Sequence, residues 1–322
     1  MKATIFIPIS RNTKNLKSCL KSLAKQSDQR FSVIAVALTD SEEIKKLLKK
    51  YFTEYVFLVQ PTPGLLHAAN LALNHAKADI FIRIDDDIIA DRDWLAGILK
   101  SFEDEKTGGV TGPTIVNADL QEGRDLFAFL NEFKKSGNMF KKLIAYIYAN
   151  IIYEGRMKDV SLFTKSGAFT LGSNFEESVA EIQNPREVDN LEACNFAVRR
   201  VLLSRFGGFD PTFSQGLSEY HEADIACKIR EAGYKNIFNP KAKVWHNVER
   251  STNVRGDSYH RIQNFILFYR RHLAKTDLQS WTYFLIHIYL QNCYYGFLFF
   301  KTGKIELLGS IPGTIVGLFR PI

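Results

Sequence analysis

Between residues 2 and 84 the chain alternates short, unbroken apolar runs with segments of helical period, a pattern few folds accept. The apolar runs fall at 2–8, 31–38, 55–59 and 79–84, each rich in Ile, Val or Phe. Each has strand length and is too continuous for a strand with one wet face, so buried parallel strands are expected. Between them, Leu16, Leu20 and Leu23 follow Asn12 and Thr13, Ser41-Glu42-Glu43 opens IKKLLKKY, and residues 64–77 carry Leu66, Asn70 and Leu73. These spacings predict helices. Strand and helix in alternation predict right-handed βαβ units in a doubly wound sheet. Such a sheet binds ligands at the carboxyl ends of its strands, here 8–12, 38–41, 60–64 and 85–87, and polar residues gather at all four.

With 322 residues, 46% hydrophobic and 24% charged, the chain can bury a sizeable core; collagen-like, disordered and disulfide-scaffold classes are excluded. The formal net charge of +7 suits a phosphate-bearing ligand, nucleic acid or an anionic membrane face. Cys19, Cys194, Cys227 and Cys293 lie far apart without CxxC spacing, which points to structural thiols in a reducing compartment. The opening MKATIFIPIS is broken by Pro8 and too short for a signal segment, so it reads as a first strand and a cytoplasmic start. From about 119 to 189 the pattern weakens, with an aromatic, helix-like stretch at 126–152, and a variable insertion is expected there.

The sharpest polar feature is IRIDDDIIADRDWL, where Asp85, Asp86 and Asp87 end an apolar strand. Adjacent carboxylates repel one another, and a cation is the usual reason to tolerate them. Strand alternation would aim Asp85 and Asp87 one way and Asp86 the other, giving two oxygens suited to Mg²⁺ or Mn²⁺ and a diphosphate.

IFIPISRN, LKSCLKSLAKQS, PGLLHAANLALNHAKADIFIRIDDD, CNFAVRRVLLSRFGGFD and HEADIACKIREAGYKNIFNPKAKVWHNVERS, in that order over most of residues 1–250, resemble the family 2 glycosyltransferases of GT-A fold. The resemblance implies an α/β fold: a Rossmann-like, mostly parallel sheet flanked by helices. It also implies inverting transfer from a nucleoside diphosphate sugar and a divalent metal at a DxD motif. By resemblance the metal ligands are Asp85, Asp87 and His246, and the nucleotide contacts are Pro8, Arg11, Asp40, Asn70, Asp85 and Asp86. The catalytic base falls on Glu222, because the family's Glu-Asp pair reads His221-Glu222 here, two residues before Asp224. The second strand also departs: 37–41 reads ALTDS where the family usually has Asp-Asp-Gly-Ser. Cys194, Asn195, Arg199 and Arg200 match a strand and helix start beside the donor, the two arginines being either phosphate contacts or part of a solvated helix face, and the glycines of GGFD ask for positive φ or a close approach.

The expected catalytic domain is 1–257, with a nucleotide-binding half of about 1–117 and an acceptor half of about 118–257. Residues 258–322 form an aromatic helical extension. Within it, the twenty residues 281–300 could just span a bilayer, yet His287, Gln291 and Asn292 favour an interfacial or packed helix. Arg270, Arg271, Lys275, Lys301 and Lys304 flank its rings, which suggests peripheral attachment to an anionic inner membrane face. The expected acceptor is a glycan or polyprenyl-linked molecule; nucleic acid is not expected as a partner, and self-association into a homo-oligomer is compatible with the same surface. A nucleotidyltransferase and a catalytically degenerate sugar-nucleotide-binding module are the alternatives. The first is disfavoured because residues 9–14 lack the glycines it normally places after strand one.

Overall fold

The computed structural model describes residues 1–9, 13–116, 130–247, 257–274 and 277–321. In chain order the first elements are β1 (Ala3–Ile9), α1 (Thr13–Leu23), β2 (Phe31–Ala37), α2 (Glu42–Tyr51), β3 (Tyr55–Val59), α3 (Leu65–His75), β4 (Ile80–Ile84), β5 (Ile88–Ala90), α4 (Trp94–Ser101), β6 (Thr107–Thr111) and β7 (Thr114–Val116). There follow α5 (Met139–Ile147), α6 (Glu176–Ala180), β8 (Arg186–Val188), β9 (Asn195–Arg199), α7 (Arg200–Arg205), α8 (His221–Glu231), β10 (Lys235–Phe238), β11 (Val244–His246), α9 (Ser258–Phe268), α10 (Leu278–Thr302) and α11 (Ser310–Phe319).

They form two compact units. The first comprises 1–117, 173–214 and 221–248, the second 118–172, 215–220 and 249–322. The stretch expected as an acceptor half is thus divided between them.

The first unit is built on an eight-stranded sheet of order β3-β2-β1-β4-β9-β6-β10-β8. β1 to β4 pair in parallel, as their unbroken apolar runs suggest; β1, β2 and β4 are largely buried, whereas β3, at the sheet edge, corrects the expectation of a buried strand by leaving Val56 and Val59 exposed. All five residues of β4 are buried, and Leu16, Cys19, Leu20 and Leu23 of α1 pack with them in one core. β9 enters antiparallel between β4 and β6, Ile80 facing Arg199 and Ile84 facing Asn195. A second sheet, β5-β11-β7, sets His246 opposite Ile88 and Val116. Asn195 ties the strand ends together: fully buried, it accepts from Trp94 Nε1 at 2.8 Å and donates to Ala242 O at 2.9 Å. Gly112 lies beneath it because a Cβ there would meet Ala242 O at 2.2 Å.

The second unit is helical and aromatic. Phe284 of α10 stacks on Tyr269, ring centroids 3.7 Å apart, and Ile262, Phe265 and Ile266 of α9 complete that core. α11 lies against α9 on its small residues: a Cβ at Gly313 would meet Tyr259 O at 2.6 Å. Its large residues Ile311, Ile315 and Phe319, four apart, therefore face outward. No helix among the described residues is long and apolar enough to cross a membrane. Lys275 lies outside the described residues, as does the side chain of Lys301.

Candidate active site

Two strand registers assemble the polar cluster. Because Ile84 faces Asn195, Asp85 and Cys194 emerge side by side at the carboxyl end of β4. Because His246 faces Ile88, its imidazole is brought against the acids, and the Asn247 N–H donates to Asp87 O at 3.0 Å. A carboxylate oxygen of Asp85, Cys194 Sγ and a ring nitrogen of His246 lie within 4.8 Å of one another. Cys194 Sγ is 3.5 Å from His246 Nδ1, and Asp87 Oδ1 is 3.1 Å from Nε2.

Strand alternation does not run through the three acids. β4 ends at Ile84, and the Ile88 N–H approaches Asp85 O at 3.5 Å, so residues 85–88 form a turn. Asp85 turns to Arg83 and the cluster, Asp87 to His246; Asp86 is buried and outside the cluster. Their common field is felt nearby: burial, and then Asp86, Asp87 and Asp85, push the Cys19 thiol well above its ordinary range. Burial also raises the Cys194 thiol. For His246 burial opposes the charge, yet its pKa stands well above the ordinary value because the Cys194 sulfur and the Asp87 carboxylate face its two nitrogens.

Arg83, unassigned by the sequence analysis, links this cluster to α8. Buried in the sheet, it donates from Nη2 to Asp85 Oδ1 at 2.6 Å and from Nη1 to Ala193 O, and Nη1 is 3.3 Å from His221 Nε2. Arginine only donates, so Nε2 accepts and the His221 proton sits on Nδ1, 3.1 Å from Glu222 Oε2. A chain of contacts, Asp85 to Arg83 to His221 to Glu222, thus runs through the buried end of the sheet. The signal for Arg83 was present: a lone cation in an otherwise apolar strand, two residues before the acidic triplet. Glu222 lies within the first turn of α8, not at its cap, whereas Asp224, two positions on and across the helix, pairs with Lys228 at 2.6 Å.

Among the other sequence candidates, Pro8 sits two residues beyond Phe6, the last β1 partner of β4, at the same sheet end as Asp85. Asp40 is exposed and pairs with Lys45 at 2.6 Å. Arg11 lies outside the described residues. Asn70 is engaged elsewhere: it donates to Phe209 O at 2.8 Å and accepts from Phe209 N at 2.7 Å. It clamps the turn where Gly207 and Gly208 take φ of 80° and 85°, the positive values the glycines predicted. Arg199 and Arg200 correct the expectation of phosphate contacts. β9 runs antiparallel to β4, so they stand at the opposite end of the ladder and donate to Thr107 O, Phe102 O, Asp104 O and Ala78 O.

The donor set fits a divalent cation. The Asp85 carboxylate, the Cys194 sulfur and the His246 imidazole converge, and Asp87 Oδ1, 3.1 Å from His246 Nε2, is buried with no well-aligned donor.

A mostly parallel sheet flanked by helices, with an acidic turn at a strand end, is the GT-A architecture of glycosyltransferases. The chain is similar to the mannosyltransferase PcManGT from Pyrobaculum calidifontis, solved in complex with GDP-Man and Mn²⁺, at 14% identity and TM-score 0.56, covering 100% of this chain and 88% of that one. It is similar to GalNAc-T7 with UDP, GalNAc and Mn²⁺ at 15% identity and TM-score 0.58, covering 84% of this chain and 48% of that one. The family model described as glycosyl transferase family 2 matches residues 4–153. An uncharacterized glycosyltransferase from Bacillus subtilis (strain 168), YfnE, is 28% identical over 81% of this chain and 73% of its own length. The family match over residues 4–153 and the likeness to a glycosyltransferase over most of the chain support a family 2 glycosyltransferase over the nucleotidyltransferase and non-enzymatic alternatives.

Proposed function

We propose that the chain transfers a sugar with inversion from a nucleoside diphosphate donor to a hydroxyl of a glycan or polyprenyl-linked acceptor, with Asp85, Asp87 and His246 building a divalent cation site and Glu222 as base. The observation that carries this is the contact chain from Asp85 through Arg83 and His221 to Glu222. It joins the diphosphate end of the reaction to a carboxylate suited to the acceptor end. A bound cation, Mn²⁺ or Mg²⁺, supplies positive charge against the nucleoside diphosphate as its bond to the sugar breaks. The acceptor oxygen bonds to the anomeric carbon from the opposite face, and its proton passes to a Glu222 oxygen. His221 Nδ1, 3.1 Å from Glu222 Oε2, positions that carboxylate. Asp224 is the weaker candidate for base, because Lys228 already occupies it. The relatives' complexes with GDP-Man, UDP and Mn²⁺ support a nucleotide donor and a divalent cation here.

Glu222→Gln tests the assignment. Transfer should fall ~10²–10⁴-fold while donor binding, read by quenching or calorimetry, stays within about twofold. Near wild-type transfer in this variant, with Asp224→Asn inactive, would move the base to Asp224.

The second unit we assign to an anionic membrane face. Leu285, Tyr289, Phe297 and Phe300 of α10 and Ile311, Ile315 and Phe319 of α11 are exposed, with Lys304 and Arg320 nearby in sequence. Full-length protein should pellet with phosphatidylglycerol vesicles and be released by high salt. Failure to bind vesicles of either charge would return this face to a protein partner.

A further inference from the structure

Cys194 has no part in the transfer reaction proposed above, yet it stands in the middle of the cation cluster. Its sulfur faces His246 Nδ1 at 3.5 Å, and both lie within 4.8 Å of an Asp85 oxygen. Two ligands on one tetrahedral ion, with metal–nitrogen near ~2.0 Å and metal–sulfur near ~2.3 Å, stand about 3.5 Å apart, so the observed spacing is that of a ligand pair. Among the described residues the sulfur is the hydrogen-bond partner recorded for Nδ1, and a thiol is a poor one. The other ring nitrogen faces Asp87 at 3.1 Å, the arrangement in which a carboxylate orients a metal-bound imidazole. The strand registers that set Asp85 beside Cys194 and His246 beside Ile88 make this constellation a product of the sheet rather than of flexible side chains.

We propose that Cys194 is a ligand of the cation site, so that Asp85, Cys194 and Nδ1 of His246 bind a thiophilic divalent cation, Zn²⁺ or Co²⁺, in preference to Mg²⁺, while Asp87 orients the imidazole through Nε2. Sulfur, nitrogen and oxygen from three side chains leave a fourth position open for a diphosphate oxygen, the pattern of a catalytic rather than a closed structural site. Hard cations gain little from a sulfur donor, whereas zinc and cobalt gain much. The proposal rests on the cation site proposed above and revises it in three respects: Cys194 joins Asp85 and His246 as a ligand, Asp87 becomes the partner that orients the imidazole, and the ion is a thiophilic one.

The test is a Co²⁺ titration of the full chain with Cys293→Ser as background, which removes the exposed thiol. The expected result is a sulfur-to-cobalt charge-transfer absorption that saturates at one equivalent and is abolished by Cys194→Ser. Zn²⁺ should displace the cobalt at stoichiometric concentration, and Mg²⁺ should fail to do so at a hundredfold excess. Asp87→Ala should keep the absorption and weaken Co²⁺ binding ~10–100-fold. Circular dichroism and thermal melting establish that each variant is folded, and Cys194→Ala is the second choice should the serine variant not fold. Binding of Co²⁺ or Mn²⁺ without a charge-transfer band, or an unchanged band in Cys194→Ser, overturns the cysteine ligand and leaves the proposed transfer reaction standing. Failure of any divalent cation to bind the folded chain in the presence of GDP or UDP overturns both.

Discussion

At the far end of the β4–β9 ladder Arg199 donates to Thr107 O at 2.7 Å and to Phe102 O and Asp104 O at 2.9 Å, and Arg200 beside it donates to Ala78 O at 2.8 Å. At the near end Arg83, on the partner strand, reaches Asp85 and His221 as well as Ala193 O. Both ends use arginine in the same two strands. At the far end most of the donated protons finish on backbone carbonyls, and the network closes there. At the near end they finish on side chains that can themselves ionise or bind, and these lead on to Asp87, His246 and Glu222. An arginine tied to carbonyls fastens loops; one tied to titratable groups keeps their charges poised.

Paired substitutions test that contrast, and the larger effect belongs to the near end. Arg83→Gln removes a buried cation and strands Asp85 and His221, which should cost roughly 3–5 kcal/mol of stability. Transfer by the protein that still folds should fall ~10²-fold, because the acids and Glu222 lose their common anchor. Arg199→Gln breaks hydrogen bonds to carbonyls from a partly exposed side chain, so about 1–2 kcal/mol is expected, with transfer per folded molecule unchanged. Urea midpoints and turnover normalised to folded protein measure both. Equal losses of turnover in the two variants would erase the distinction between the ends.

Much of this frame was legible in the chain itself. The runs at 2–8, 31–38, 55–59 and 79–84 became β1 to β4 within a residue or so, but only β1, β2 and β4 are the buried strands expected; β3, at the sheet edge, leaves Val56 and Val59 exposed. Ser41 caps α2 as its position before Glu42-Glu43 suggested, accepting from the Ile44 N–H. What sequence could not supply was register across long separations. Arg83 and His221 are 138 residues apart, and Cys194 and His246 are 52 apart, so neither contact follows from local spacing. The same blindness left Arg199 and Arg200 open between phosphate contacts and a solvated helix face: an RR pair after an apolar strand looks alike whether the strand runs parallel or antiparallel to its neighbour. The acidic triplet was located correctly but read as strand, because adjacent carboxylates say nothing of where the hydrogen-bonded ladder stops.

Two histidines extend the comparison to the second unit and give the smallest effect. His246 lies beside a carboxylate and its pKa is raised; His287 lies among neutral groups and its pKa is lowered to about 4 by burial. The neighbours of His287 define its state: Nδ1 is 3.2 Å from Ser166 O, so it carries the proton, and Nε2 accepts from Gln291 at 3.0 Å while the Phe265 ring lies edge-on at 4.9 Å. A second proton would have to displace the Gln291 amide and place a charge in an aromatic core. The unfolded chain, with its histidine near 6.5, binds that proton more readily than the folded one, so stability rises with pH through the interval from about 4 to about 6.5 and is lost as pH falls through it. The full difference is about 3 kcal/mol, or about 1.4 kcal/mol for each unit of pH within the interval. Urea midpoints taken from pH 7.5 down to pH 5 should fall in the wild type beyond what its carboxylates explain. His287→Gln should be less stable at pH 7.5, having lost a packed ring, but should show a flatter decline. Parallel curves for the two proteins would mean that acid acts elsewhere in the molecule and that His287 does not set the stability of this core.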